Sequence, residues 1–365
     1  MRRIVFITST LSQPRVIKRI KSIYNAGFEV KVYGFDRNVY NCNSLPKDIE
    51  SIKLGDLKDG EGYFGKIKSF RKAVDYIIDK EGKNDVIFYS FALIPTFFLK
   101  KKNVKYVYEL SDLLYGYPRF NSIRPILKYI EKGIIRKSHL TVMTSEGFRD
   151  YLFGKDAPPN IIIQPNKLNS YFKGQNRPVA KMPDIHHLKF GYVGAVRYKE
   201  TVLRFAKIIG KDFPMHEFHF FGDSLFVKAF QEETKDYSNV FYHGQFKNPD
   251  DLSSIYSLLD IVVACYETES LNERIAEPNK LYESIYFGKP IIVSTNSFLE
   301  KKMSKMGCGY SIDSYDDDAI RNLVRGISSD TINRIIANTQ GIVKDSLIDD
   351  PEKIVKSSLV STKKS

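Results

Sequence analysis

The chain has 365 residues, 42% hydrophobic, 27% charged and 13% aromatic, the make-up of a globular protein, so disordered, collagen-like and coiled-coil readings are excluded. The length suggests two domains of ~150–200 residues each, and the sequence holds no uncharged apolar run of the ~18 residues that a membrane-spanning helix needs. The net charge of +13 lies wholly in the first 170 residues, which hold 30 Lys and Arg against 17 Asp and Glu, while the remainder holds 26 of each. One half of the molecule is therefore expected to face an anionic partner: nucleic acid, a phospholipid surface or a phosphorylated substrate.

Two arginines precede a short apolar run at the start, MRRIVFITST. The run is too short for a signal peptide and reads as a buried first strand, Arg3–Ser9. Apolar Val16, Ile20 and Ile23 recur at helical spacing over Arg15–Ala26, and Gly27 ends that helix. Strand Phe28–Phe35, helix Phe64–Lys80 and strand Asp85–Tyr89 follow. Next come strand Val104–Leu110, helix Ile123–Ser138, strand His139–Thr144, a helix capped by Ser145, and strand Ile161–Gln164. Residues 173–188 are polar, carry two prolines and lack periodicity, so they read as a linker.

Alternation then restarts with strands Lys189–Val193, His216–Phe221, Val240–His243, Asp260–Ala264, Pro290–Val293 and Gly309–Ile312. Helices are predicted over Thr201–Ile209, Leu225–Glu233, Pro249–Leu258, Lys280–Phe287, Asp317–Ile327, Asp330–Asp345 and Pro351–Leu359. The alternation predicts an α/β fold of two Rossmann-like, doubly wound domains with a cleft between them. The expected division is residues 1–172, the linker 173–188, residues 189–345, and a terminal helix 346–365 packing back on the first domain. Ligands in such sheets sit at the carboxyl ends of the strands.

The motifs exclude several chemistries. The loop after the first strand, Thr8–Arg15, has no G-x-G-x-x-G, and Walker, H-E-x-x-H and C-x-x-C sequences are absent. Cys42, Cys265 and Cys308 are far apart and form neither a disulfide framework nor a metal spacing. His216 and His219 are predicted on one face of a strand as packing residues, and Asp316–Asp318 as a helix cap.

The stretch Cys265–Ser294 carries Glu267, Glu269, Glu273, Glu277 and Glu283 with Asn272, Arg274, Asn279 and Lys280 among them. It follows a buried strand and opens a helix near Asn279. Amides at a helix start hold a diphosphate, Lys280 adds charge there, and Glu283, one turn in, accepts hydrogen bonds from vicinal hydroxyls.

The segment EPNKLYESIYFGKPIIVS resembles the signature of the family 4 glycosyltransferases, nucleotide-sugar enzymes of the GT-B fold. The likeness continues in SQPRVIKRIKSIYNAGFEVKVYGFDR, VKYVYELSDLLYG, RKSHLTVMTSEGFRDYL, IIIQPNK, LKFGYVGAVRYKETVLRFAKII, FHFFGDS and NVFYHGQF, in the family's order. It implies that Glu283 holds the ribose, that Asn279, Lys280 and Leu281 meet the diphosphate, and that Gly194, Arg197 and Lys199 lie beside it. Ala195 stands where many relatives have arginine. Ile275 stands where the family's first glutamate belongs, which leaves Glu273 and Arg274 as candidate sugar contacts; Tyr266 and Glu267 would line the same pocket. In the first half, Asp112 would orient or deprotonate the acceptor hydroxyl, with Ser111, Gln13 and Arg15 on the acceptor or phosphate side. The implied activity is retaining, metal-independent transfer from a UDP- or GDP-type sugar to a lipid-linked glycan in capsular, exopolysaccharide or lipopolysaccharide synthesis, at the cytoplasmic face of an anionic membrane, with no further cofactor and no nucleic-acid partner. A sugar-nucleotide 2-epimerase of the same fold and a non-catalytic sugar-nucleotide-binding protein are the alternatives.

Overall fold

The computed structural model describes residues 3–36, 45–57 and 62–359; Cys42 lies outside them. The chain forms two units, Met1–Pro165 with Asp350–Ser365, and Asn166–Asp349. Each is built on one parallel sheet with helices on both faces.

In unit 1 the strands are β1 (Arg3–Thr8), β2 (Glu29–Asp36), β3 (Glu50–Asp56), β4 (Val86–Ser90), β5 (Tyr106–Leu110), β6 (Leu140–Met143) and β7 (Ile161–Ile163), in the order β3-β2-β1-β4-β5-β6-β7. Its helices include α1 (Pro14–Asn25), α2 (Tyr63–Glu81), α3 (Leu93–Lys101), α4 (Arg124–Lys137) and α5 (Glu146–Phe153). Alternation along β5 assigns the faces. Tyr106 and Tyr108 donate to the Ile134 carbonyl at 2.7 Å and to Glu131 Oε1 at 2.7 Å, both on α4. Glu109, between them, points to the other face and meets Arg19 Nε of α1 at 2.9 Å. Val16, Ile20 and Ile23 of α1 close the core on that side with Ile4, Phe6 and Val107.

Unit 2 holds β8 (Lys189–Val193), β9 (Glu217–Phe221), β10 (Val240–Tyr242), β11 (Ile261–Ala264), β12 (Ile291–Ser294) and β13 (Gly309–Ile312), in the order β10-β9-β8-β11-β12-β13. The helices are α6 (Arg204–Asp212), α7 (Val227–Thr234), α8 (Leu252–Leu258), α9 (Leu271–Ile275), α10 (Asn279–Tyr286), α11 (Phe298–Met306), α12 (Asp317–Gly326) and α13 (Ser329–Gly341); a π-turn, Lys199–Leu203, leads into α6. β11 is buried at every position, as a central parallel strand covered on both faces must be. The chain then returns to unit 1 through α14 (Glu352–Leu359), whose Ile354 sits in the β1/α1 core.

The division between units falls at Pro165/Asn166 rather than in a linker after residue 172. Residues 173–188 belong to unit 2 because Arg177 binds them there. Its guanidinium donates to the carbonyls of Tyr286 at 3.0 Å, Thr339 at 2.6 Å and Ile342 at 2.8 Å, and also to those of Gln340 and Ile285. These carbonyls lie in or just past the last turns of two helices, Asn279–Tyr286 and Ser329–Gly341, where the helical bonding pattern ends. Four elements escaped the sequence reading: β3, α3, α9 and α11. His216 lies outside β9, and an odd separation puts it off the face of His219; it accepts from Leu188 N at 3.2 Å, whereas His219 bonds Glu217 Oε2 at 2.8 Å and His243 at 2.9 Å. Asp316 caps α12 through the amides of Asp318 and Ala319. Among the described residues no helix is long and apolar enough to cross a membrane.

Candidate functional site

In unit 2 the chain runs outward from β8 in one direction and from β11 in the other. β8 and β11 are neighbours, so the loops leaving their carboxyl ends diverge and open a crevice at this switch point. The loop 194–198 leaves β8, and 265–270 leaves β11 and leads through α9 to the start of α10. These are the segments in which the sequence concentrates its cations and acids.

Lys280 occupies the first turn of α10 and is 6% exposed. Its Nζ lies 4.7 Å from the ring centre of Tyr192 on β8 and 5.6 Å from that of Tyr266 after β11. Burial pulls its pKa down to about 8. Gly194 makes room for it: a Cβ there would stand 2.8 Å from Nζ, and its φ of 139° suits only glycine. Gly222, after β9, is required for the same packing, because its Cβ would fall 1.9 Å from the Gly194 carbonyl oxygen. The Arg197 guanidinium lies 4.8 Å over the Tyr198 ring, Tyr198 stacks on Tyr266 at 4.8 Å, and Glu273 acts electrostatically on both Arg197 and Tyr198. Two cations are thus held among three tyrosines at the start of a helix, where an anion is favoured.

Glu283, one turn further along α10, is buried. Its Oε2 accepts from Tyr256 Oη at 2.6 Å and its Oε1 from Asn279 Nδ2 at 2.5 Å. The proximity of this carboxylate and burial push the Tyr256 hydroxyl well above its ordinary pKa, burial being the larger cause. Asn279 therefore supports Glu283 with its side chain. Glu273 Oε2, Ser270 Oγ and Glu277 Oε2 are buried and unpaired. The other oxygen of Glu277 accepts from Tyr282 and pairs with Lys302 at 3.2 Å, which ties the loop to α11. Glu267 accepts from the Glu200 amide at 3.0 Å, and burial raises its pKa.

The structure brings Gly194, Arg197, Tyr266, Glu273, Asn279, Lys280 and Glu283 to this crevice. Lys199 turns away and pairs with Glu233 of α7 at 2.8 Å. Arg274 is exposed on α9, its amide bonded to the Ser270 carbonyl at 3.0 Å, and Leu281 is a core residue whose amide bonds the Pro278 carbonyl at 3.3 Å. The sequence reading missed Tyr192, Tyr198 and Tyr256. The first two flank the G-A-V-R run, and an aromatic beside a glycine loop was the available signal; Tyr256 is remote in sequence and carried none. In unit 1, Ser111 and exposed Asp112 follow β5. Gln13 is the N-cap of α1 without a side-chain cap bond, and Arg15 has a buried Nε without a partner.

No family model matches the sequence, and no curated protein does. Solved structures do match over the full chain. Sucrose-phosphate synthase from Thermosynechococcus elongatus aligns with a TM-score of 0.74 and 14% identity, covering 98% of this chain and 97% of that one. WaaG, described as a glycosyltransferase involved in lipopolysaccharide biosynthesis, aligns at 0.69 and 14%, covering 98% and 100%. Anabaena HepE in complex with UDP and glucose aligns at 0.67 and 12%, covering 98% and 99%. The chain has the GT-B fold. A UDP-GlcNAc 2-epimerase from Neisseria meningitidis shares it at 0.61 and 13% identity.

Proposed function

We propose that this chain is a glycosyltransferase that moves a sugar, with retention of anomeric configuration, from a UDP- or GDP-type nucleotide sugar to an acceptor hydroxyl on a lipid-linked glycan at the cytoplasmic face of a membrane. The observation that carries the reading is the buried Lys280 beside Gly194, with Glu283 one turn on. A diphosphate supplies the negative charge that a desolvated ammonium, an arginine and helix-start amides lack. Vicinal ribose hydroxyls are the natural donors to the Glu283 carboxylate, in exchange for or beside Asn279.

In the proposed reaction the acceptor oxygen bonds to the anomeric carbon as the carbon–oxygen bond to the diphosphate breaks. The electron pair leaves with the diphosphate, and the acceptor proton passes to its departing oxygen. Lys280 and Arg197 stabilise the charge that develops there. Glu273 Oε2, buried and unpaired, is the proposed sugar-hydroxyl contact in place of the glutamate that Ile275 displaces. Asp112 in unit 1 is the proposed acceptor-orienting carboxylate. The charge on the diphosphate is met by side chains and amides, so EDTA is expected to leave nucleotide affinity unchanged.

The test is a thermal-shift screen of UDP, GDP, dTDP and their sugars, since a ligand that binds only the folded chain raises its melting temperature, followed by NMR of the product. The reading expects one nucleotide to stabilise the protein and an acceptor-dependent release of that nucleoside diphosphate. A change at C2 of the donor sugar without release would mark a 2-epimerase instead, and no shift with any nucleotide would end both readings.

A further inference from the structure

The loop that leaves β8 turns on a residue whose side chain disfavours its backbone. Tyr198 has φ 73° and ψ 70°, in the left-handed region. Among the described residues the other non-glycine positions with positive φ are Asp85, Asn103 and Asn296, whose short polar side chains tolerate this conformation. A bulky ring does not. Elsewhere in the same crevice the chain meets the need for positive φ with glycine, at Gly194 and Gly222. Position 198 keeps a ring where glycine would be unstrained, so the ring itself has work there.

Neighbouring contacts hold this corner. The Tyr198 carbonyl accepts from the amides of Val202 at 2.9 Å and Leu203 at 3.2 Å, which closes the π-turn. The Glu200 amide donates to Glu267 Oε1 at 3.0 Å, and Thr201 Oγ1 to the Cys265 carbonyl at 2.6 Å. The Tyr198 ring is buried and stacks on Tyr266 at 4.8 Å. These contacts tie the loop after β8 to the loop after β11, and a right-handed residue 198 would turn the chain away from them. Arg197 is exposed above the ring, its guanidinium carbon 4.8 Å from the ring centre. Among the described residues no carboxylate forms an ion pair with Arg197; Glu273 acts on it only through space. A carboxylate clamp would neutralise the arginine towards an incoming anion. A ring fixes the guanidinium and leaves its charge and its N–H edge available.

We propose that Tyr198 is a positioning residue of the diphosphate site: its left-handed corner and its ring set Arg197 in the crevice before a nucleotide arrives. Little ordering of that long side chain then remains for the bound state. The inference rests on the diphosphate site in the proposed function, and it adds a residue that acts only through Arg197.

The experiment is calorimetric titration of wild type, Y198G, Y198F, R197M and Y198G/R197M with UDP and with UMP, which lacks the β-phosphate. GDP and GMP replace them if the guanine nucleotide is the one bound. Wild type is expected to prefer UDP, and Y198G to lose roughly three- to tenfold of that preference, the ordering of one long side chain, with UMP affinity little changed. Y198F should recover most of the preference, because it keeps the ring. In the R197M background Y198G should cost no further UDP affinity. A ring that serves packing alone would weaken both nucleotides alike, with or without Arg197. Melting curves test the corner itself: glycine ordinarily destabilises a chain relative to alanine, whereas here Y198G should melt above Y198A. A wild type that binds neither UDP nor GDP ends the donor reading. The positioning role alone is overturned if wild type binds and Y198G keeps the preference, if the loss persists in R197M, or if Y198A melts above Y198G.

Discussion

Lys280 Nζ sits 4.7 Å from the centre of the Tyr192 ring, in the space left open by the missing side chain of Gly194. The contact joins the first turn of α10 to the end of β8 and explains how an ammonium stays inside unit 2 with aromatic faces in place of water. Aromatic faces attract a cation, while burial lowers the pKa of the ammonium to about 8 against the pull of Glu283.

Removing the charge should separate binding from stability. Lys280→Met is expected to weaken UDP by about 30–100-fold, the worth of a charge-assisted contact of ~2–3 kcal/mol. The melting temperature should hold or rise, because a buried ammonium is replaced by an apolar chain of similar shape. Gly194→Ala should weaken UDP too, but with a falling melting temperature, since its Cβ meets Nζ and its φ is strained. Calorimetric titration and a melting curve on each variant decide. Equal UDP affinity in Lys280→Met and wild type would remove Lys280 from the site.

The same lysine predicts a pH dependence. Its pKa is near 8 in the folded chain against 10.5 ordinarily. The ammonium is therefore present at pH 7 and lost through pH 8–9, and UDP affinity should fall over that interval. Stability should move the other way, rising between pH 8 and 10.5, because there the unfolded chain binds the extra proton. Lys280→Arg should flatten the affinity profile, since an arginine keeps its charge. A wild-type profile that stays flat from pH 7 to 9.5 refutes this.

Glu283 is expected to set ribose recognition. Comparing UDP with 2′-deoxy-UDP isolates one hydroxyl. Wild type should prefer UDP by roughly tenfold, a charged hydrogen bond's worth, and Glu283→Gln should bring the ratio near one. Tyr256→Phe removes the 2.6 Å bond that orients Oε2 and should lower the ratio less. An unchanged ratio in Glu283→Gln places the ribose elsewhere.

The alternation of β-branched runs and amphipathic stretches carried the fold, because parallel strands are buried on both faces and announce themselves as apolar runs. β3 was hidden for the converse reason: ESIKLGD is an edge strand with no fully buried position and a polar sequence. α3 was masked by Pro95, which interrupts its apolar sequence, yet a proline in the first turn of a helix removes no bond. The cations of the site were legible because Lys280 opens a helix after a strand. Two tyrosines beside them and beside Glu283 were not, since Tyr192 reaches Lys280 from β8 and Tyr256 reaches Glu283 from α8. The contrast between Lys199 and Arg197 was also closed to sequence, because Glu233 captures Lys199 from α7.

Glu131 offers a test of unit 1 that needs no substrate. It is wholly buried on α4, and its carboxylate accepts from Tyr108 Oη at 2.7 Å and Tyr115 Oη at 2.5 Å, so it fastens the segment after β5 that carries Asp112. Arg124 holds the same segment through the Tyr115 carbonyl at 3.0 Å. Burial raises the pKa of Glu131 from 4.5 to about 7, against the opposing pull of the two tyrosines. A carboxyl raised in the folded state stabilises fully below its unfolded pKa and loses that contribution as pH climbs to 7, by about 3 kcal/mol at most. His219 and His243 act in the other direction, since burial lowers both and folding then opposes their protonation below pH 6.5. The difference between wild type and Glu131→Gln cancels the histidines. Urea unfolding at pH 5 and pH 8 should show Glu131→Gln gaining on wild type at the higher pH, because an amide keeps a hydrogen bond to each tyrosine without a charge to bury. Parallel slopes in the two proteins would show that Glu131 is ionised throughout and that the clamp on the Asp112 segment does not depend on its proton.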